Sequence, residues 1–132
     1  MAVYTVGSIK DIPGVRRYVA VDGGMGDNIR PKLYGARYEA FLASNPDHAP
    51  DRMVTIAGKY CESTDILITD IEMPELKPGD VIAMPAAGAY CLAMSSNYNG
   101  IPRPEVVMVG DGEAHVMRRR ETLDDLIAAE VF

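Results

Sequence analysis

The chain has little of what several functional classes need. It has no tryptophan and only two cysteines and two histidines among its 132 residues. No apolar run approaches the roughly 20 residues that a membrane span needs. Basic residues number 13 against 19 acidic ones, and the formal net charge of -6 argues against a broad phosphate-binding face. We therefore expect neither a nucleic acid nor a membrane as a partner.

The cysteines and histidines are not spaced like metal ligands. His48 lies in a polar loop, His115 lies in a predicted strand, and Cys61 and Cys91 form no CxxC motif. We therefore predict no metal site. The first residues, 1–3, have neither the basic nor the apolar region of a signal peptide, so we expect a cytoplasmic protein whose two thiols stay free.

The residues that are present indicate one mainly β domain. With 48% apolar and 24% charged residues the chain is typical of a globular protein, and its length suits a single core. Short β-rich runs between Gly and Pro breaks predict strands at 4–10, 17–21, 37–43, 53–57, 65–71, 80–84, 106–109 and 113–120. The fold class that we predict has antiparallel connections: a Greek-key β-barrel, or a two-sheet sandwich, with a short C-terminal helix.

Two short helical segments and one hairpin are also predicted. Pro31 suits the first turn of a helical piece over 28–34, and Thr122 is the predicted N-cap of the terminal helix. The Gly-Asp-Gly turn at 110–112 predicts a hairpin. The terminal helix has one apolar face, which we expect to dock on the body of the domain or on a neighbouring subunit. That face comprises Leu123, Leu126, Ile127 and Val131.

A glycine-rich segment at 23–26 follows a predicted strand. It does not form the GxGxxG of a dinucleotide site and no long helix follows it, so tight backbone geometry is the simpler interpretation. Arg30 and Tyr34 stand four residues apart and share one face of a helical turn, where a guanidinium and a phenol can hold a carboxylate. The alternative is an arginine that packs over an aromatic ring at the surface.

The pair Cys61-Glu62 in GKYCESTD combines a thiol, which can donate a proton, with a carboxylate, which can bind a cationic group. Adjacent strand residues point to opposite faces, so a shared site requires a strand end or a turn, which 63–65 can supply. The alternative is an inert buried thiol beside a solvated carboxylate. Tyr90 follows two small residues that let a cofactor approach, or that suit the corner of a barrel.

Four blocks of the sequence carry a resemblance to a known family. YVAVDGGMGDNIRPKLYGARY, GKYCESTD, GDVIAMPAAGAYCLAMSSNYN and RPEVVMV resemble, in this order, the C-terminal domain of the diaminopimelate decarboxylases. Ornithine decarboxylases of the same fold type have Asp after the cysteine, so Glu62 favours the diaminopimelate branch, and arginine decarboxylases are a weaker alternative. The family usually has CESGD where Thr64 stands here, and a glycine with positive φ would resist replacement by threonine.

The resemblance implies an activity and a role for each candidate residue. The activity is the conversion of meso-2,6-diaminopimelate to L-lysine and carbon dioxide in lysine biosynthesis, with pyridoxal 5'-phosphate as cofactor. Arg30 and Tyr34 would bind the distal carboxylate of the substrate, and Glu62 its distal ammonium group. Cys61 would donate the proton after carbon dioxide has left, and Tyr90 would contact both the cofactor and the substrate.

The resemblance also implies partners. In the family, the cofactor lysine lies in an N-terminal α/β barrel, and no lysine here has a matching context, so we expect residues 1–132 to be the C-terminal β domain with that barrel absent. Cys61 and Glu62 would reach into the active site of the opposite subunit of an obligate homodimer. The competing hypothesis is a stand-alone β-barrel interaction module that has kept the fold and lost the chemistry.

Overall fold

A computed structural model describes residues 1–131, which form eight strands and three short helices. The strands are β1 (Ala2–Ile12), β2 (Arg16–Val21), β3 (Phe41–Leu42), β4 (Arg52–Ala57), β5 (Ile66–Met73), β6 (Val81–Met84), β7 (Val106–Gly110) and β8 (Glu113–Arg118). The helices are α1 (Arg30–Tyr34), α2 (Cys91–Met94) and α3 (Leu123–Ile127), and a 3-10 turn covers Tyr98–Gly100. The prediction of a mainly β chain with short helices is confirmed.

Alternating apolar side chains build the core on one face of the large sheet. Residues two apart on a strand point to the same face, so a period-two pattern turns one row of side chains inward. Four strands each contribute such a buried pair: Tyr4 and Val6, Val19 and Val21, Val54 and Ile56, and Ile82 and Met84. The pattern that predicts the strands is therefore also the pattern that fills the core.

The large sheet has six strands in the order β3-β6-β1-β2-β4-β5. Its neighbouring strands are antiparallel except β2 and β4, which pair in parallel with Val19 opposite Ile56. The prediction of antiparallel connections is therefore wrong at this pair. A parallel pair needs a long crossover, and the connection between β2 and β4 carries α1 and β3.

The sheet curls toward closure. Its two edge strands border a single surface pocket, with Leu42 of β3 on one side and Met73 of β5 on the other. The result is a half-barrel, which is the coarse form of the predicted barrel or sandwich. Within residues 1–131, no helix is long and apolar enough to cross a membrane.

Two predicted elements differ from the structure. Of the strand predicted at 37–43, only Phe41 and Leu42 pair with β6, while residues 35–39 line a groove beside β5. Helix α2 was not predicted, because four residues are too few to show a helical period and its N-cap, Tyr90, makes no side-chain capping bond.

The C-terminal elements form a separate layer. β7 and β8 make a two-stranded sheet whose turn residues, Asp111 and Gly112, both have positive φ, as the predicted hairpin requires. Thr122 caps α3 as predicted, in a capping box with Asp125. The apolar face of α3 does not dock on the body of the chain, since Leu123 is 71% exposed. Docking on a neighbouring subunit stays a prediction.

Glu121 ties this layer to the rest of the chain. Its carboxylate accepts hydrogen bonds from the Arg103 backbone N–H at 2.8 Å, the Asn97 amide at 2.6 Å and the Arg118 guanidinium at 3.0 Å. Hydrogen bonds from the Arg103 backbone first, and then from Asn97 and the Arg103 side chain, lower the pKa of Glu121 to about 2. The carboxylate is therefore ionised wherever the chain is folded at ordinary pH.

Candidate active site

Cys61 and Glu62 lie on the loop that connects β4 to β5, which is the strand-end position that a shared site requires. Both side chains are exposed. The loop consists of tight turns, in which the Glu62 N–H donates to the Tyr60 carbonyl and the Ile66 N–H to the Thr64 carbonyl, each at 2.8 Å. Thr64 has no positive φ, so threonine in place of the family's glycine leaves this backbone intact.

A buried carboxylate anchors the base of this loop. Asp65 is 2% exposed and accepts hydrogen bonds from the backbone N–H groups of Met25, at 2.6 Å, and Tyr60, at 2.8 Å. Burial raises the pKa of Asp65 above its ordinary value, while the two backbone donors and Lys59 act in the opposite direction. Asp65 thus joins the Cys61-Glu62 loop to the glycine-rich segment, a role that the sequence alone did not reveal.

Close packing around Asp65 explains the glycine-rich segment. A Cβ atom on Gly24 would lie 2.6 Å from the Asp65 carboxylate, and one on Gly26 would lie 1.9 Å from the Tyr60 hydroxyl. On the other side, a Cβ atom on Gly58 would lie 2.1 Å from the same carboxylate. These glycines let the backbone approach two buried side chains, in agreement with the tight-geometry interpretation of 23–26.

Tyr98 orients Glu62. The Tyr98 hydroxyl donates a hydrogen bond to Glu62 Oε1, and this bond is the main cause that raises the pKa of Tyr98. The Tyr98 ring lies 6.1 Å from that of Tyr60, which is buried. One oxygen of Glu62 is therefore held in place, while the other accepts no hydrogen bond from residues 1–131. Tyr98 was not singled out from the sequence, although it lies in one of the four blocks that carry the resemblance.

Arg30 and Tyr90 form a second cluster. Arg30 begins α1, and its guanidinium carbon lies 4.9 Å from the centre of the Tyr90 ring, within the range of a cation–π contact. Tyr90 immediately precedes α2 and is 59% exposed. Tyr34 ends α1 and is also exposed. Arg30 therefore packs over an aromatic ring, but over Tyr90 and not over the helical neighbour Tyr34.

Three further side chains support Arg30 from within. The Arg30 guanidinium donates to the Tyr38 hydroxyl at 3.4 Å, and this hydroxyl lies 3.5 Å from the Cys91 sulfur. The Cys91 thiol donates to Asn28 Oδ1 at 3.1 Å. Burial, followed by the contact with Cys91, raises the pKa of Tyr38, while Arg30 opposes this rise. Sequence reasoning did not identify these supporting residues.

The structure places the predicted site residues in two separate groups. Cys61 and Glu62 are adjacent on one loop, and Arg30 contacts Tyr90, whereas no hydrogen bond or ion pair in residues 1–131 joins the first pair to the second. A scaffold contact connects the loop of the first group to the segment before α1, because the Met25 N–H donates to Asp65 Oδ1 at 2.6 Å. Each group presents exposed polar atoms that another surface can complete.

A surface groove beside β5 contains none of the predicted site residues. It lies between the end of α1 and β5 and is lined by Lys32, Tyr38 and Thr64, among others. In the described part of the chain, no three His, Cys, Asp or Glu side chains gather closely enough to hold a metal ion. The two groups of side chains offer a thiol, a carboxylate, a guanidinium and a phenol, which can bind a polar ligand or donate a proton.

Comparisons with known proteins agree with this geometry. Residues 1–88 match the family model described as pyridoxal-dependent decarboxylase, C-terminal sheet domain. The chain is 57% identical over 129 residues to diaminopimelate decarboxylase of Bacillus subtilis and 48% identical over 136 residues to that of Mycobacterium tuberculosis. These alignments cover 98% and 99% of the chain, but 29% and 30% of the relatives. The chain thus spans less than a third of the length of these relatives.

Solved structures show the same relation. The chain superposes with a TM-score of 0.90 and 35% identity on diaminopimelate decarboxylase from M. jannaschii in complex with L-lysine, covering 98% of this chain and 29% of that one. It superposes with a TM-score of 0.84 and 36% identity on the Helicobacter pylori enzyme complexed with L-lysine, covering 96% and 30%. A lysine/ornithine decarboxylase from Vibrio vulnificus, at 22% identity and a TM-score of 0.66 over 76% of this chain and 27% of that one, shares the fold.

Proposed function

The chain belongs to the pyridoxal-dependent decarboxylases, as their C-terminal sheet domain, and on this premise we propose that it forms one side of the active site of a diaminopimelate decarboxylase. The reaction is the conversion of meso-2,6-diaminopimelate to L-lysine and carbon dioxide, a step of lysine biosynthesis in the cytoplasm. The observation that carries the proposal is the exposed Cys61-Glu62 pair on a loop anchored by buried Asp65.

Charge recognition at the distal end of the substrate is the first task of the chain. Diaminopimelate carries an ammonium group and a carboxylate at the end that does not react. Glu62 binds the ammonium group through the oxygen that Tyr98 leaves free. Arg30 and Tyr34, on one face of α1, bind the carboxylate. A substrate that lacks either distal charge leaves one of these groups unpaired and binds less tightly.

Proton delivery is the second task. Cys61 is exposed and lies next to Glu62, so a substrate held by Glu62 lies beside the thiol. A thiol can act as a general acid, and Cys61 donates its proton to the carbon from which carbon dioxide has left. Because the thiol is exposed in this chain, it can act in an active site that another domain or subunit completes.

The residues present fit contact with pyridoxal 5'-phosphate but not its attachment. A lysine that binds such an aldehyde cofactor is typically desolvated, whereas all four lysines here are exposed: Lys10, Lys32, Lys59 and Lys77. Tyr90 offers an exposed phenol and ring face that can hold the cofactor beside the substrate. When bound, the cofactor supplies the electron sink for decarboxylation. The attachment lysine then belongs to another domain.

The partners that we propose supply the groups that this chain lacks. An N-terminal α/β barrel supplies the cofactor lysine, and a second subunit receives Cys61 and Glu62 in a homodimer with shared active sites. The two separate groups of side chains support this arrangement, because each is too incomplete to act alone. The isolated chain is therefore inactive. In the complete enzyme, the strands of this domain form a Greek-key barrel.

Two alternatives are distinguished by specific observations. Arg30 and Glu62 together recognise a distal end that carries both a carboxylate and an ammonium group. The substrate of an ornithine or arginine decarboxylase of the same fold type has no such end. A stand-alone interaction module would have no need for an exposed thiol and an oriented carboxylate on one anchored loop. The identity of 48–57% to diaminopimelate decarboxylases favours that activity over both alternatives.

The test is a chimera in which this chain replaces the corresponding C-terminal residues of the Bacillus subtilis relative. We expect the chimera to form L-lysine from meso-diaminopimelate. Glu62→Ala should raise KM about tenfold or more, because a charged hydrogen bond is lost. The same substitution should leave D-2-aminopimelate, which lacks the distal amino group, bound as before. Ser63→Ala, a neighbouring exposed position, is the matched control. Absence of lysine formation by the parent chimera would refute the proposal.

A further inference from the structure

The hydrogen bonds that support Arg30 form a closed ring. The Arg30 guanidinium donates to the Tyr38 hydroxyl at 3.4 Å, and the Tyr38 hydroxyl contacts the Cys91 sulfur at 3.5 Å. The Cys91 thiol donates to Asn28 Oδ1 at 3.1 Å, and the same oxygen accepts the backbone N–H of Arg30 at 3.3 Å. The ring therefore starts at the side chain of Arg30 and returns to its backbone.

From the Arg30 guanidinium to Asn28 Oδ1 the donors run in one direction, and the Arg30 backbone N–H donates to the same oxygen from the other side. With Arg30 as an obligatory donor, the Tyr38 hydroxyl accepts, and its own hydrogen is then available to the Cys91 sulfur. The thiol hydrogen in turn goes to Asn28 Oδ1. Asn28 must present oxygen and not nitrogen here, because both of its neighbours in the ring are donors. The four hydrogens that form the ring therefore each have an acceptor, whereas the buried Asn28 Nδ2 has no partner within residues 1–131.

Two of the four residues of the ring are buried, and Arg30 and Tyr38 are half-buried. Asn28 is 2% exposed and Cys91 5% exposed, whereas the Tyr90 ring that Arg30 covers is 59% exposed. Cys91 directly follows Tyr90 at the start of α2, and Asn28 and Arg30 flank the start of α1. The ring thus links the two short helices that carry the proposed substrate contacts. None of the roles proposed so far uses Tyr38, Cys91 or Asn28.

We propose that Tyr38, Cys91 and Asn28 are positioning residues that hold the Arg30 guanidinium over Tyr90 and thereby set the affinity for the distal carboxylate. This inference rests on the proposed function of Arg30. A long arginine side chain at an open site loses rotamer freedom when it binds a ligand, and fixing it beforehand lowers that loss. The buried Cys91 thiol acts here as a hydrogen-bonding link between α1 and α2.

The test uses the chimeric enzyme with Tyr38→Phe, Cys91→Ala and Cys91→Ser. We expect Tyr38→Phe and Cys91→Ala to raise KM for meso-diaminopimelate about threefold to tenfold, the effect of one lost hydrogen bond, with kcat nearly unchanged. Cys91→Ser, whose hydroxyl can both accept and donate, should retain most of the affinity. Tyr18→Phe, which removes a hydroxyl from β2, is the matched control and should leave KM unchanged.

D-Lysine separates positioning from general damage. It keeps the reacting centre and the distal ammonium group but lacks the distal carboxylate that Arg30 binds. Its inhibition constant should therefore be the same in the Tyr38→Phe variant and in the parent chimera. An equal loss of affinity for D-lysine and diaminopimelate, or an unchanged KM for diaminopimelate, would overturn the proposal.

A crystallographic readout keeps the inference separate from the proposed function. If the parent chimera forms no lysine, the proposed function fails, and the position of Arg30 is then decided by crystal structures of the parent and of Tyr38→Phe. Positioning predicts that the Arg30 guanidinium carbon stays about 4.9 Å from the Tyr90 ring centre in the parent and moves away in the variant. An unmoved guanidinium in Tyr38→Phe would refute it.

Discussion

At the scale of single residues, the anchor of the candidate site is as informative as its reactive groups. Cys61 and Glu62 were singled out from the sequence because a thiol beside a carboxylate can serve a site, and the family resemblance then implied their roles. Asp65, which holds their loop, was not, because an Asp near a turn is common and only the fold brings the Met25 N–H group to it. Residues that act through a contact distant in sequence are those that sequence reasoning misses.

Asp65→Ala should destabilise the chain by about 3 kcal/mol, since it leaves two buried backbone N–H groups without their charged acceptor. Urea unfolding followed by circular dichroism measures the change. Asp47→Ala, in the exposed loop after β3, is the matched control and should have little effect. A loss in Asp65→Ala no larger than in the control would show that the carboxylate does not anchor the loop.

At the scale of elements, the predictable parts were those with strong local signals. Alternating apolar residues located the strands around the core, and the Gly-Asp-Gly turn located the β7–β8 hairpin. The parallel pairing of β2 with β4 was not predictable, because strand order depends on tertiary packing and not on local pattern. The strand predicted at 37–43 is wrong over most of its length for the same reason, because only Phe41 and Leu42 pair with a neighbouring strand.

Attachment of the C-terminal layer should depend on pH through Glu121. Its pKa in the folded chain is lowered to about 2, mainly by the Arg103 backbone N–H, so its stabilisation is fully present above the ordinary carboxyl pKa of 4.5. This stabilisation is lost as the pH falls toward 2. We therefore expect Glu121→Gln to lower the thermal midpoint at neutral pH. The gap between the midpoints of the parent and of the variant should close in acid.

Thermal unfolding of the parent and Glu121→Gln between pH 7 and pH 3 is the measurement for this prediction. Glu105→Gln is a suitable control, because Glu105 makes only a long ion pair, 3.8 Å, with Arg120. A gap between the parent and Glu121→Gln that stays constant into acid would contradict the role assigned to the ionised carboxylate.

At the scale of the whole molecule, the chain has exposed apolar surface that a neighbouring domain or subunit can cover. Apolar side chains of the hairpin and of α3 remain exposed, including Val109 at 75% and Val116 at 65%. The chain spans about 29% of the length of the Bacillus subtilis relative. The two separate groups of side chains suit the proposed enzyme, in which Arg30 serves the active site of its own subunit and Cys61 that of the partner.

This division predicts complementation between inactive subunits. Chimeras carrying Arg30→Ala and Cys61→Ala, coexpressed with different tags, should form hybrid dimers with one doubly defective site and one intact site. At equal expression, about a quarter of all sites is then intact, and activity should recover to that level. Cys61→Ala coexpressed with Glu62→Ala should show no activity beyond that of its Glu62→Ala sites, because every site of the hybrid dimer then carries one defect. Equal recovery in both pairs, or in neither, would contradict shared sites.

The most direct test of the central claim is the turnover number of the Cys61→Ala chimera with meso-diaminopimelate. We expect kcat to fall at least about 100-fold, which is the contribution of a positioned proton donor, while the inhibition constant of L-lysine stays near that of the parent. A kcat within a few fold of the parent would show that Cys61 does not deliver the proton, and that the exposed thiol of this loop has no part in the chemistry.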